Sequence, residues 1–243
     1  ASINAVLKIR GYAPFVLDRS EAYIGVLIDD LVTKDLDEPY RMFTSRAEYR
    51  LLLRQDNADL RLMKYGHKFG LIDEDEFQAL ERRRFAIKEC LEFLQSEKPA
   101  IDDINPILLE RGTSKISEKE PLARLLKRPE ISLPDFAQVY DLEFLKGSED
   151  LFWKAVAEQV EIEIKYEGFL QRQKEQVLRM KELEDYRIPD SFDYKTIQSI
   201  SKEAREKLGR FRPVTIGQAS RILGVSPSDV SVLMIYLKAA KRG

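Results

Sequence analysis

The sequence contains very few of the residues that build disulfide, redox or metal sites. Cys90 is the only cysteine, which excludes an internal disulfide, and His67 is the only histidine, which leaves too few ligands for a His/Cys metal cage. No apolar run approaches the roughly 20 residues that cross a bilayer. The N-terminus also lacks the basic and apolar regions of a signal peptide. We therefore expect a cytoplasmic protein with no metal site and no membrane association.

Charge is abundant but unevenly distributed. Charged residues make up 34% of the chain, yet the formal net charge is only -2, so the whole chain has no field of one sign that would indicate a partner. Residues 73–184 carry 18 Lys and Arg against 26 Asp and Glu, whereas residues 185–243 carry 11 against 6. This difference predicts a small basic unit that follows an acidic helical region.

Apolar spacing predicts a mostly α fold with few strands. One seam of apolar residues indicates a helix over residues 74–97, and a second indicates a long helix over residues 149–185. We expect these two helices to form a long antiparallel pair. Pro189 ends the second helix, and a small helix-turn-helix-like subdomain follows. Its three helices are predicted at residues 195–208, 216–223 and 227–239.

The first 33 residues predict two further helices. Residues 1–10 have helical spacing but no start signal, which is typical of the end of a helix that begins upstream of Ala1. In the next helix, Asp29 and Asp30 are expected to face solvent. Its apolar side is predicted to consist of Tyr23, Ile24, Leu27, Ile28 and Leu31.

The segment from Glu38 to Arg61 contains five arginines and few acids. Ser45 and Glu48 stand in a capping-box relation, which predicts a helix from Arg46. Arg46, Arg50 and Arg54 would then lie four residues apart on one helical face and repel one another, so the pattern favours an anionic partner. The alternative is a structural role in which these arginines pair with acids such as Asp56 or Asp59. The five arginines are Arg41, Arg46, Arg50, Arg54 and Arg61.

Residues 218–233 predict a helix-turn-helix, with Gly224 in the turn and Pro227 at the start of the second helix. A helix-turn-helix DNA-binding regulator is therefore one possible function. However, Ser228, Asp229 and Ser231 stand where a DNA-reading helix needs base-reading side chains.

The rest of that helix carries more apolar residues than three helices can cover, which predicts a protein interface. The alternative is that the surplus packs on the helix of residues 149–185. The predicted anchors are Leu233 and Tyr236, and the predicted polar rim is Arg212, Gln218 and Arg221.

Catalytic patterns are absent from the sequence. No Gly-x-Gly-x-x-Gly follows a predicted strand, no phosphate loop is present, and no pair of carboxylates has a spacing that indicates acid–base catalysis. We therefore assign no catalytic, cofactor-binding or metal-binding residue, and we do not expect this chain alone to be an enzyme.

Four stretches carry a resemblance to a known family: residues 18–32, 38–62, 165–168 and 212–222. Together they make nearly the whole chain similar to the C-terminal part of the MnmG (GidA) family. Ser2-Ile3-Asn4-Ala5 resembles the end of that family's second flavin-domain signature, with Ser2 where glycine is usual. The resemblance implies that the full-length protein is an FAD-dependent enzyme that also uses NADH. With the GTPase MnmE, it would add a carboxymethylaminomethyl group to carbon 5 of the tRNA wobble uridine.

The resemblance also implies a domain organisation. Residues 1–33 would be the tail of the FAD-binding domain, residues 34–184 a helical domain with the arginine-rich helix, and residues 185–243 a small basic subdomain. FAD would be held upstream, so this chain is expected to hold no cofactor. The five arginines would contact tRNA, the anchors and rim of the basic subdomain would contact MnmE, and the full-length protein would be a homodimer.

Overall fold

The computed structural model describes residues 1–33, 39–145 and 150–240. These residues are mostly helical, as predicted, and within them the only β pairing is an isolated antiparallel bridge between Arg187 and Thr215. Short 3-10 turns lie at Thr44–Arg46, Leu133–Gln138, Glu143–Leu145 and Tyr194–Thr196. The α-helices are α1 (Ser2–Ile9), α2 (Tyr23–Thr33), α3 (Ala58–Lys68), α4 (Glu74–Ser96), α5 (Ile101–Glu110), α6 (Leu122–Leu126), α7 (Leu151–Lys165), α8 (Glu167–Asp185), α9 (Lys202–Phe211), α10 (Ile216–Arg221) and α11 (Pro227–Ala240).

The chain forms two compact units. Residues 1–53 and 172–243 make up a discontinuous unit, and residues 54–171 make up a central unit. The predicted domains, residues 1–33, 34–184 and 185–243, stay a prediction. The limit at residue 34 lies outside the described residues.

The central unit is built around α4, α6 and α7. Asp73 caps α4 by accepting a hydrogen bond from the Glu76 amide at 2.8 Å. The predicted packing of two long helices is confirmed for α4 and α7, while their antiparallel direction stays a prediction. Residues that are fully buried in this core include Leu94, Leu108, Leu122, Leu125, Phe136, Val156 and Val160.

The prediction of one continuous helix to residue 185 was wrong. Tyr166 ends α7 with a non-helical backbone, at φ -103° and ψ 12°, and α8 starts anew at Glu167. Gly168, which follows directly, is a poor helix former, so the sequence favours a break here. The predicted start at Glu149 lies outside the described residues, and Asp150 caps α7 through the Phe152 amide.

The predicted face of α2 was also wrong. The helix buries Gly25, Val26, Asp30 and Thr33. Most residues of the predicted apolar side are instead exposed: Tyr23, Ile24, Ile28 and Leu31.

The three C-terminal helices are confirmed as α9, α10 and α11. The first begins at Lys202 rather than 195, because the Ser201 hydroxyl caps it by accepting from the Ala204 amide at 3.0 Å. Gly224 has φ +92° in the turn before α11, a conformation that favours glycine. The buried residues of this small core include Ile197, Leu208, Ile216, Leu233 and Leu237.

Candidate nucleic-acid and partner interface

The arginine-rich segment of residues 39–53 is not the predicted helix. After the 3-10 turn at Thr44–Arg46 the backbone becomes extended at Ala47, and turns follow. The Glu48 carboxylate accepts from Arg19 at 2.8 Å, so it is engaged by a distant arginine rather than by a capping box. Tyr49 and Leu53 are buried with Val26, which fixes the segment through side-chain packing.

Two of the five arginines belong to the central unit and are bound internally. The Arg54 guanidinium lies against the Asp56 carboxylate at 3.1 Å and donates to the Gln159 side chain at 3.0 Å. Burial would raise the pKa of Asp56, but hydrogen bonds from Gln159 and Arg54 hold it below its usual value. Arg61 donates to the Asn57 side chain and the Arg54 carbonyl. The contacts of Arg54 therefore agree with the alternative role, in which this arginine pairs with an acid of its own chain, Asp56.

The other three arginines belong to the discontinuous unit and differ in accessibility. Arg46 is half-buried, lies 3.6 Å from Asp30 and stacks over Tyr40 at 5.2 Å from the ring centroid. Arg41 and Arg50 are exposed, and neither forms an ion pair with an acid among the described residues. The Arg41 guanidinium lies 5.8 Å from the centroid of the exposed Phe43 ring.

A buried charge network holds this segment against α2. Arg19 is only 3% exposed, and it donates to Asp29 at 2.9 Å, to Asp30 at 2.8 Å and to Glu48 at 2.8 Å. Burial alone would lower the pKa of Arg19, but the bond to Asp30 and the neighbouring carboxylates raise it above its usual value. Asp30 also accepts from the Tyr40 hydroxyl at 3.0 Å. The expectation that Asp29 and Asp30 face solvent was therefore wrong.

Arg221 of α10 joins the same network. Two of its nitrogens donate to Asp29 at 2.8 and 2.9 Å, and a third lies 2.5 Å from Glu184 of α8. Its side chain is mostly buried, so the predicted rim residue is an internal connection between α2, α8 and α10. Gly217 leaves space for the Glu184 carboxyl group, because a Cβ at position 217 would clash with it.

The sequence carries a signal for this network that apolar spacing alone overlooks. Asp29 and Asp30 interrupt an otherwise apolar helix, and charges there are stable only when they are paired. Which arginines pair with them is decided by long-range folding, since Arg221 lies 192 residues away from Asp29.

The predicted partner residues of the C-terminal helices are placed in different environments. Leu233 is fully buried in the subdomain's own core and offers no surface to a partner in this conformation. Gln218 accepts from the Val214 amide at 2.9 Å. Tyr236 and Arg212 are exposed. Further exposed apolar side chains in this subdomain are Val214, Leu223 (78%) and Ile235 (65%).

The apolar surplus of α11 is thus partly used inside the subdomain. Val230, Leu233 and Leu237 are buried, and Leu183 of α8 packs against the same cluster. The contact with Leu183 agrees with the alternative prediction, in which the apolar surplus packs on the helix that ends at residue 185. Ile235 and Tyr236 nevertheless remain on the surface.

Asp229 closes the N-terminus of α11 and is buried. Its carboxylate accepts from the Ser226 amide at 2.9 Å, the Ser226 hydroxyl at 2.6 Å and the Ser201 amide at 2.8 Å. Burial would raise the pKa of Asp229, but these bonds hold it below its usual value. A side chain with all these contacts is not free to read a base edge.

Metal-binding clusters and reactive thiols are scarce among the described residues. No group of three or more His, Cys, Asp or Glu residues within them is placed to hold a metal ion. Cys90 is buried, and burial raises the pKa of its thiol to about 11, so it behaves as a small apolar residue. Nor does any helix in these parts of the chain have the length and apolar character to cross a membrane.

Two family models match the chain. The "tRNA modifying enzyme MnmG/GidA C-terminal helical domain" matches residues 74–174, and the "C-terminal helical bundle" of the same enzymes matches residues 176–243. The chain is also similar to curated proteins named tRNA uridine 5-carboxymethylaminomethyl modification enzyme MnmG. The protein of Caldicellulosiruptor saccharolyticus is 49% identical over 100% of this chain, and that of Chlorobaculum tepidum is 50% identical over 98%.

Solved structures of Aquifex aeolicus GidA show the same fold. The form II crystal aligns with a TM-score of 0.75 and 39% identity, covering 98% of this chain and 36% of that one. The form I crystal aligns with a TM-score of 0.73 and 40% identity, covering 98% and 35%. The chain spans about 38% of the length of the curated relatives that it matches.

Proposed function

Because the chain belongs to the MnmG/GidA family and matches its C-terminal helical domains, we propose that it is the C-terminal part of a tRNA-modifying enzyme. The proposed reaction adds a carboxymethylaminomethyl group to carbon 5 of the wobble uridine, together with the GTPase MnmE. The proposed full-length enzyme is a cytoplasmic homodimer that uses FAD and NADH. In this proposal the present chain supplies binding surfaces, and the redox chemistry takes place elsewhere in the protein.

We propose that this chain does not form an FAD site by itself. Asn4, in the stretch that resembles a flavin-domain signature, exchanges two hydrogen bonds with the backbone of Phe15, at 2.8 and 2.7 Å. The sequence holds no glycine-rich turn that leads into a helix as a dinucleotide cradle would. We therefore assign FAD and NADH to the part of the relatives that this chain does not span.

The tRNA surface that we propose is centred on Arg41 and Arg50. What carries the proposal is that both cations are exposed on a segment held by buried contacts. The Leu52 amide donates to Gln173 of α8 at 3.3 Å, and Gln173 donates back to the Glu48 carbonyl. Because the backbone of this segment is already fixed, little further backbone freedom is lost when its arginines contact a phosphate. The exposed Phe43 ring beside Arg41 could also stack on an unpaired base.

Binding of an unmodified tRNA transcript tests this surface. Arg41→Gln combined with Arg50→Gln should weaken binding by the whole 243-residue chain, because two phosphate contacts are lost. Lys88→Gln is a control for a general loss of surface charge, since it removes one exposed cation, 3.6 Å from Glu92, from α4 of the central unit. Equal tRNA affinity in the double variant and the parent would contradict the proposal.

The surface for MnmE that we propose consists of Leu223, Ile235 and Tyr236. These apolar side chains are exposed in the C-terminal subdomain, and large exposed apolar groups commonly mark protein interfaces. Leu223→Ser with Ile235→Ser should abolish capture of MnmE while the chain stays folded, because neither side chain is part of the core. Phe85→Ser, an equally exposed apolar position in the central unit, should retain capture. If the double variant still captured MnmE, the interface would lie elsewhere.

A further inference from the structure

We propose that a surface cavity of the C-terminal subdomain binds the ribose-phosphate backbone of single-stranded RNA. This inference rests on the proposed function, since tRNA is the RNA that such an enzyme would meet. The cavity has a volume of about 610 Å³ and lies between residues 192–195 and one face of α9. Four cationic side chains line it against two carboxylates, Asp193 and Glu206. The cations are Lys195, Lys202, Arg205 and Arg212.

These cations are not neutralised within the part of the chain that the structure describes. None of the four forms an ion pair there, and Lys195 and Lys202 are exposed. Arg205 donates only to backbone carbonyls at 3.3 Å, and its buried Nε lacks a hydrogen-bond partner. Arg212 donates to the Phe192 carbonyl at 3.4 Å. Cations that outnumber the carboxylates around a concavity, and that form no ion pairs with them, favour an anionic ligand.

Three positions around the cavity are unfavourable for the helix that carries them. Lys202 places a cation in the first turn of α9, where the helix dipole favours an anion. Arg212 ends the helix at φ +44°, a left-handed conformation usually given to glycine. Gly209 lies inside the helix, yet a Cβ there would meet nothing within 4 Å. Local choices that weaken a helix and converge on one cavity are expected where a ligand binds.

The shape and aromatic content of the cavity favour RNA over a small anion. Phe192 lines it as a half-buried ring, held edge-on to Tyr194 at a centroid distance of 5.3 Å. Proteins that bind single-stranded nucleic acid combine cations along the backbone with aromatic rings that stack on bases. Because Gly209 has no side chain, a sugar or phosphate could approach the surface of α9 closely.

The first test removes charge without disturbing the fold. Lys202→Gln combined with Arg212→Gly should fold normally, because glycine adopts a positive φ more easily than arginine. The probe is a single-stranded uridine oligomer of about ten nucleotides, titrated with the whole chain at several salt concentrations. The slope of log K against log salt should flatten by about 1.4, because each single-strand phosphate contact contributes about 0.7. The control Lys238→Gln, an exposed lysine of α11 outside the cavity, should bind like the parent.

A second variant separates a binding role from a structural one. Gly209→Ala should raise the melting temperature, because alanine is the better helix former, and yet weaken binding of the oligomer by placing a methyl group in the cavity. A higher melting temperature with unchanged oligomer affinity would overturn the inference. An unchanged salt slope in the Lys202/Arg212 double variant would overturn it as well.

Other outcomes distinguish this inference from the function on which it rests. If the Lys202/Arg212 variant keeps the oligomer but loses MnmE, the cavity belongs to a protein interface and the inference fails. Failure of the parent chain to bind the oligomer also overturns it. If changes at Arg41 and Arg50 leave tRNA binding unaltered while the cavity variants weaken it, the proposed tRNA surface fails and the cavity stands.

Discussion

Two sets of arginines in the discontinuous unit have opposite environments. Arg19 and Arg221 are buried among carboxylates and connect α2, α8 and α10, whereas Arg41 and Arg50 extend from the surface without an acidic partner in the described residues. The first pair holds the unit together, and the second pair is free to meet an external anion. The burial and the partners of an arginine, rather than its presence in a basic segment, therefore decide what it does.

The largest expected effect comes from breaking the buried set. Arg19→Met would leave Asp30, which is fully buried, without its main cationic partner. Removing one member of a buried ion pair typically costs about 3–5 kcal/mol. Urea denaturation should show a loss of this order. A loss below about 1 kcal/mol would mean that the network contributes little.

A smaller effect is expected where the backbone crosses α2. A Cβ on Gly25 would clash with the Asp18 carbonyl oxygen, and backbone cannot move aside as a side chain can. Gly25→Ala should therefore lower the free energy of unfolding by about 1–3 kcal/mol, the usual cost of overpacking. Gly168→Ala is the matched control, because its Cβ would meet nothing within 4 Å, and it should be neutral or stabilising. Thermal unfolding of the two variants gives the comparison.

The Asp229 carboxylate in the first turn of α11 should make stability depend on pH. Its folded-state pKa is lowered, so its contribution is present above the unfolded pKa of about 3.9 and is lost as pH falls through the folded value. Asp229→Ala removes the acceptor of the Ser226 and Ser201 amides, and it should lower the free energy of unfolding by about 0.5–2 kcal/mol near neutral pH, the range known for side chains that satisfy amides at a helix N-terminus. The difference between parent and variant should shrink in urea titrations below about pH 3.9. A difference that stayed constant with pH would contradict the assignment.

The smallest effect on stability is expected for the exposed set. Arg41→Gln and Arg50→Gln should each change the free energy of unfolding by no more than about 0.5 kcal/mol, because neither side chain is buried or ion-paired among the described residues. Urea denaturation beside Arg19→Met measures the contrast directly. Comparable losses in the two sets would remove the distinction drawn between them.

Much of the fold could be predicted from the sequence because its signals are local. The Asp73 cap, the Gly224 turn and the apolar spacing of α4 and α11 each act over a few residues. The buried face of α2 could not be predicted in this way, because Asp30 is buried by pairing with Arg19 and so reverses the expected orientation of the helix. The prediction of a helix from Arg46 was wrong for a similar reason, since burial of Tyr49 and Leu53 outweighs the capping box of Ser45 and Glu48.

For the candidate site, the sequence identified residue types but not their accessibility. The sequence predicted the same tRNA-binding role for all five arginines. In the structure, however, Arg54 pairs with Asp56 and donates to Gln159, while Arg50 is exposed. Leu233 and Tyr236 fitted another pattern, yet one is in the core and the other on the surface. These differences depend on three-dimensional packing, which no short spacing encodes.

The salt dependence of tRNA binding decides whether the exposed arginines meet RNA. The slope of log K against log salt, measured for the parent chain and for Arg41→Gln with Arg50→Gln, counts the phosphate contacts that these arginines make. We predict that the double variant flattens the slope by about 1.4 to 1.8, with Lys88→Gln unchanged. Identical slopes in the parent and the double variant would contradict the proposed tRNA surface.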